Sequence, residues 1–201
     1  MTRKPSIRSK NLPYHVTAQA NNQEWFILPM PVMWFLIQAS LKEATDRHPS
    51  EVISFVLMNN HYHMLIMTPE GNLESFMCEF NKRLTLKIKS RTGQMNNVFG
   101  ERYKWCLIES QQYFFNCYKY VYQNPVRAGL VKYCEDYPFS TLRSLVKNAK
   151  FSVPIHDRYG FKDEYGLRWL NQEIGDEEVV ALKKSLACAI WMDLKNKKSG
   201  C

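Results

Sequence analysis

At 201 residues the chain is long enough for one full domain with a sizeable core, and a hydrophobic share of 45% with 13% aromatics excludes a disordered chain. The net charge of +8 favours a polyanionic partner, because lysine and arginine attract phosphates and release counterions, although charge alone does not choose one. Six singly spaced cysteines (Cys78, Cys106, Cys117, Cys134, Cys188 and Cys201) form no CxxC pair, which argues against a zinc knuckle or a disulfide framework and for reduced thiols in a cytoplasmic protein.

The N-terminal arm, residues 1–12, begins "MTRKPSIRSK", which is basic but lacks the apolar core of a signal peptide. "LPYHVTAQANN" follows, strand-like through Tyr, Val and Thr and stopped by two asparagines. The longest apolar stretch, "ILPMPVMWFLIQASL", is too short to span a bilayer and holds two prolines, so no membrane partner is expected. "PVMWFLIQASLKEATDRHP" starts with a proline suited to a first helical turn and ends at another, the pattern of a helix.

"EVISFVLM" and "HYHMLIM" are two apolar strands separated by Asn59 and Asn60, and asparagine's tolerance of positive φ predicts a tight hairpin. In "NLESFMCEFNKRLTLKIKSR" Leu73, Phe76, Met77, Phe80, Leu84 and Ile88 recur at spacings of three and four, predicting an amphipathic helix. Its second half carries Lys82, Arg83, Lys87, Lys89 and Arg91, which form either a solvated face or a phosphate-binding one. A loop, "TGQMNNVFGE", leads to a strand, "RYKWCLIES", and then to a helix, "QQYFFNCYKYVYQN", expected to stop at Pro125.

The first six elements give β-α-β-β-α-β, the split βαβ or ferredoxin-like arrangement of an α+β protein, with the first and third strands central in an antiparallel sheet. The sheet domain is expected over 13–132, with a C-terminal appendage over 133–201. Within that appendage "DYPFSTLRSLVKN" reads as a loop and short helix. "DEEVVALKKSLACAIWMDL" reads as a terminal helix with Asp176, Glu177 and Glu178 in its first turn and Lys195, Lys197 and Lys198 past its end.

Side chains two apart on a strand share a face, so His61 and His63 project together and Tyr62 points away. Two imidazoles can be ordinary polar residues at a hairpin edge or part of a divalent-metal site, which then needs a third ligand. On the helix "CYKYVYQNPVRAGLV", Tyr120 and Asn124 are four apart, so a phenol and an amide oxygen can be presented to one spot. A carbonyl oxygen beside two imidazoles suits Mg2+ or Mn2+. Tyr113, Tyr118 and Tyr122 share this helix and fit core packing or an interface equally well. Trp25, Phe99, Tyr103 and Trp105 are candidate stacking platforms for bases or core residues.

"NNHYHMLIM" followed by "YVYQNPVRAGLV" resembles the REP-associated, single-tyrosine branch of the HUH transposases, in which a His-hydrophobic-His strand partners a helix with Tyr-x-x-x-Asn. "YHVTAQANNQEWF" resembles that family's "YHVTxRGNNR", "VFGERYK" its "LFxxRYK", and "DYPFSTLRS" its "dYpWSSyr" segment, over residues 13 to 145 in all. The resemblance implies the HUH nuclease fold and a metal-dependent endonuclease and strand transferase acting on single-stranded or hairpin DNA at REP-type repeats, as a monomer or homodimer. On the matching positions His61, His63 and Asn124 become metal ligands and Tyr120 the nucleophile that forms a 5′-phosphotyrosine. Arg83, Lys87, Lys119 and Arg127 are the candidate DNA contacts.

The chain departs from the family where Gln19, Ala20 and Gln23 replace the usual Arg, Gly and Arg, removing phosphate or base contacts. "MNNH" stands for the usual "MPNH". The departures keep open a domesticated, non-cleaving nucleic-acid-binding protein of the same fold. A third reading is a hydrolytic metalloenzyme that uses the two histidines on a small substrate.

Overall fold

The computed structural model describes residues 8–157 and 159–188. The start of the basic arm, the end expected for the terminal helix, and Lys195, Lys197 and Lys198 lie outside the described residues. The elements run β1 (Tyr14–Gln19), α1 (Met30–Arg47), β2 (Glu51–Leu57), β3 (His61–Met67), α2 (Leu73–Thr92), β4 (Lys104–Leu107), α3 (Gln111–Arg127), α4 (Thr141–Lys147), α5 (Glu164–Asn171) and α6 (Asp176–Cys188).

The four strands form one antiparallel sheet in the order β2-β3-β1-β4, so β1 and β3 are central, as the split βαβ reading requires. The strand alternation divides the core. Tyr14, Val16 and Ala18 of β1 and Tyr62, Met64 and Ile66 of β3 pack with Met33, Leu36, Ile37 and Leu41 of α1 and with Phe76, Phe80 and Leu84 of α2. On the other side Ile53, Val56 and Leu65 pack with Phe114, Cys117 and Val121 of α3 and with Leu142, Leu170 and Leu182 of the C-terminal helices. The sheet is therefore enclosed by two helical layers, and α3 is the element laid over the face that carries the two histidines. Cys78, Cys106, Cys117 and Cys134 are free thiols.

Three expectations change. The β2–β3 hairpin closes through Met58 N donating to His61 O (2.8 Å), yet neither Asn59 nor Asn60 takes a positive φ. Its asparagines serve as a dock instead, where Ala20 N donates to Asn60 O (2.7 Å) and Phe26 N to Asn59 O (2.9 Å). Asn22 (φ 54°) and Gln23 (φ 60°), in the docked segment itself, are the residues here that take the left-handed conformation. Second, α3 does not stop at Pro125 but continues to Arg127. A proline gives up the hydrogen bond its missing N–H would have made, but so near the end the helix is still closed by Ala128 N to Asn124 O (3.0 Å) and Leu130 N to Pro125 O (2.9 Å). Third, α5 was not expected at all; Asp163 caps it, its carboxylate accepting from Gly166 N at 2.7 Å.

The C-terminal segment is tied to β2 by Leu57 N to Phe139 O, His156 N to Val52 O, Tyr137 Oη to Leu57 O and one buried hydroxyl. Thr141 Oγ1, fully buried at the start of α4, accepts from Phe55 N (2.8 Å), donates to Phe55 O (3.2 Å) and meets Tyr122 Oη at 2.9 Å. Because a buried N–H left without an acceptor pays its full desolvation cost, Thr141→Val should lower the unfolding free energy by about 2–3 kcal/mol in urea titrations. A loss under about 0.5 kcal/mol would mean that this hydroxyl adds little to the tie.

Candidate active site

β3 places His61 and His63 on the α3 side of the sheet and Tyr62 on the other, where Tyr62 Oη donates to Asn81 Oδ1 at 2.8 Å. The two imidazoles stand edge to face with ring centroids 5.0 Å apart. His63 is 4% exposed, while His61 is partly open. From α3, the Tyr120 ring comes down against His63 at a centroid distance of 5.4 Å. Asn124 lies one turn further along, with its Nδ2 donating to Tyr120 O at 2.8 Å, which leaves Oδ1 as the end of the amide open to a ligand.

A fifth residue stands in this cluster without having been singled out from the sequence. His15 of β1 is fully buried on the same face, with Nε2 3.1 Å from His63 Nδ1 and its ring 5.9 Å from that of Tyr120. The signal was present in "YHVT", where His15 alternates with inward-facing Tyr14 and Val16, but a single histidine in a strand names no partner. His61 has its own partner, Asn60 Oδ1 at 2.7 Å from Nδ1.

Burial sets the charge of the cluster. Desolvation lowers His15 from its usual 6.5 to about 3 and His61 to about 4. His63 is held well below the usual value by desolvation first, then by His61, His15 and the Lys183 ammonium of α6. All three are neutral at pH 7 and able to offer lone pairs. Burial also raises the Tyr120 phenol, assisted by Cys117, while Arg127 and the Asn124 side chain pull it down. Among the described residues no three His, Cys, Asp or Glu side chains are grouped to hold a metal ion, and the Asn124 amide oxygen, one turn from Tyr120, is a further protein donor on this side of α3. Two neutral imidazoles and an amide oxygen are a donor set that suits a divalent ion of the Mn2+ or Mg2+ type.

The open side of His61 faces a cleft of about 540 Å3 lined by Gln19, Asn21, Asn22, Gln23, Arg102 and Lys104, among others. Gly100 forms its wall because a Cβ there would stand 3.1 Å from Asn21 Cα.

The four candidate DNA contacts scatter. Arg127 is on the site side, its charge felt by Tyr120, and it is paired at 3.5 Å with Asp176 of α6. Lys119 is adjacent to Tyr120 in sequence but turns to the other side of α3, where its Nζ sits 5.0 Å from the Trp169 ring centroid. Arg83 and Lys87 lie on α2, across the sheet from the histidines, where Arg83 bonds Glu79 (2.6 Å) and Lys87 bonds Glu43 (2.6 Å). The helical spacing identified α2 as amphipathic but not which side of the sheet it would cover. Of the candidate stacking residues, Trp105 is 8% exposed and in the core, Phe99 and Tyr103 pack partly against it, and Trp25 is 75% exposed.

Residues 9–124 match the family model described as "Transposase IS200 like". The chain is 28% identical over 120 residues to the REP-associated tyrosine transposase of Escherichia coli K12, an alignment covering 59% of this chain and 69% of that relative. Its fold is that of a solved structure whose title describes a REP-associated tyrosine transposase bound to a REP hairpin, with a TM-score of 0.63 and 21% identity, covering 88% of this chain and all of the other. No helix among the described residues is long and apolar enough to cross a membrane.

The histidine cluster predicts how stability follows pH. The folded values of about 3 for His15 and about 4 for His61 lie below 6.5, so the unfolded chain takes up protons first as pH falls. Their stabilising contribution is therefore complete above about pH 6.5 and drains away toward pH 3–4. Urea midpoints should fall between pH 6.5 and 5, above the carboxylate range, and fall less in His15→Gln. A midpoint independent of pH across that window would contradict the burial of neutral imidazoles.

Proposed function

Because this chain belongs to the IS200-like transposase family, we propose that it is a single-stranded DNA endonuclease and strand transferase with Tyr120 as the nucleophile. In this reading His61, His63 and Asn124 hold a divalent ion, Mg2+ or Mn2+, and the substrate is a hairpin-forming repeat of the REP type. The observation that supports it most directly is the packing of the Tyr120 ring on His63, 5.4 Å between centroids, although α2 and β4 separate the two along the chain.

The chain's residues divide the work. The cleft beside His61 admits the strand, so the scissile phosphate arrives at the partly open imidazole, next to His63, on which the Tyr120 ring packs. Tyr120 Oη attacks phosphorus and loses its proton to solvent. The P–O3′ bond breaks, and the departing 3′ oxygen takes up a proton, leaving a 5′-phosphotyrosine and a free 3′-hydroxyl. The diester bond is conserved, so a 3′-hydroxyl of another strand can attack the phosphotyrosine, restore the phenol and rejoin DNA. A buried phenol held above its usual range needs help to ionise, and the nearby Arg127 charge and Asn124 side chain act in that direction. When bound, the divalent ion supplies Lewis-acid neutralisation of the charge developing on the phosphate. Arg127 holds a phosphate when it exchanges Asp176, whose side chain is 95% exposed, for the DNA backbone.

One observation favours a second reading. The cleft is lined by the amides of Gln19 and Gln23 where the family pattern has arginines, which fits a chain that binds nucleic acid without cleaving it. Incubation with a 5′-extended single-stranded hairpin and Mn2+ separates the two readings. The nuclease predicts a protein–DNA adduct stable to denaturation, lost entirely in Tyr120→Phe and reduced on the order of 100-fold or more in His61→Ala and His63→Ala. Tight binding with no adduct in the wild type would leave the binding module. Arg127→Ala should also reduce the slope of log affinity against log salt by about one ion, as loss of a single phosphate contact requires. An unchanged slope would remove Arg127 from the interface.

A further inference from the structure

An imidazole offers an ion a lone pair only on the nitrogen without a proton, and in a neutral ring that is decided by what the other nitrogen bonds. Both proposed ligands have that other nitrogen occupied. From this we infer that Asn60 and His15 are positioning residues that hold His61 and His63 in the Nδ1–H form, presenting both Nε2 lone pairs to the ion. The inference rests on the reading of these histidines as ligands.

At His61 the assignment follows from the amide. Asn60 Nδ2 donates to Gln23 O at 2.8 Å, an acceptor that accepts nothing but a donor, so the oxygen end of the amide faces His61 Nδ1 at 2.7 Å. An amide oxygen can only accept, so the proton is on Nδ1. The arrangement is braced, since Asn60 O and Asn59 O accept from Ala20 N and Phe26 N, and Gln23 is held at a φ of 60°. The two asparagines before the histidine are thus an orienting device and not a left-handed turn.

At His63 the partner is another ring. His15 Nε2 and His63 Nδ1 are 3.1 Å apart with one proton between them, and Cys117 Sγ lies 4.0 Å from His15 Nδ1. The chain of groups has two arrangements. In one, His15 Nδ1–H points to the sulfur, His15 Nε2 accepts from His63 Nδ1–H, and His63 Nε2 is free to ligate. In the other, the thiol and His15 both donate toward His63, whose proton then sits on Nε2 and blocks it. Only the first is compatible with an ion at His63, so His15, fully buried and touching no solvent, controls the ligand without reaching the ion itself.

The test is the ring-nitrogen NMR spectrum of 15N-histidine-labelled, metal-free protein, together with Mn2+ titration. Both His61 and His63 should report as Nδ1–H. His15→Leu removes the acceptor, so His63 should shift toward Nε2–H and Mn2+ affinity should fall about 10–100-fold; His15→Gln, with an amide oxygen available to accept, should recover most of it. Asn60→Ala should produce the corresponding change at His61 alone. His63 found as Nε2–H in the wild type, or a folded His15→Leu that binds Mn2+ like the wild type, overturns the inference. Should His15→Leu fail to fold, the wild-type spectrum and the Gln variant still decide. A wild type that shows both Nδ1–H forms yet binds no Mn2+ would instead refute the ion reading and leave the tautomer control standing.

Discussion

The pleat of β3 is the constraint on which the rest depends. Side chains alternate across a strand, so one seven-residue segment commits Tyr62, Met64 and Ile66 to one helical layer and His61, His63 and Leu65 to the other. A register slip of one residue would bury the imidazoles among α1 and α2 and turn Tyr62 toward α3. The apolar residues of β3 and its neighbours therefore specify the placement of the polar pair. Phe55, Tyr62 and Phe80 form the aromatic cluster that fixes this register from the far side, with Phe55 and Tyr62 stacked at 5.2 Å and Tyr62 and Phe80 edge to face at 5.5 Å.

Burying three imidazoles is costly, and the fold meets that cost by pairing. Antiparallel β1 sets Thr17 opposite His63 and Gln19 opposite His61, and brings His15 one step along the same face. Each ring then has a partner at one nitrogen, and each is neutral because desolvation disfavours its charged form. The same burial that makes these rings available as donors also holds the Tyr120 phenol in its protonated form, so a positive charge nearby is what favours its ionisation. Arg127 lies close enough to act on the Tyr120 phenol, and Lys183 acts on His63.

Much of this was legible from residue order. The two-residue period of "HYHMLIM" placed both histidines on one face, and the four-residue spacing of Tyr120 and Asn124 placed phenol and amide on one helical side. The succession of strand and helix patterns defined a ferredoxin-like sheet with β1 and β3 in the middle. The rest required tertiary contact. His15 reads as one polar residue in a strand until β3 supplies its partner. Arg83 and Lys87 read as a basic helix face until α1 supplies Glu43. Pro125 reads as a stop, yet the chain runs on to Arg127 because the contacts of Ala128 N with Asn124 O and Leu130 N with Pro125 O close the helix beyond it. Lys119 shows the limit of adjacency, since one residue on a helix is a rotation of about 100° and carries its ammonium away from the site to Trp169.

The central claim is that the phenol of Tyr120 and the imidazoles of His61 and His63 surround one ion. Paramagnetic broadening by Mn2+ in protein labelled at tyrosine and histidine side chains tests it directly, because broadening falls steeply with distance from the ion. The account predicts that a single equivalent of Mn2+ erases the signals of His61, His63 and Tyr120 and spares exposed Tyr165 and Tyr133. Loss of the histidine signals with Tyr120 left sharp would contradict it.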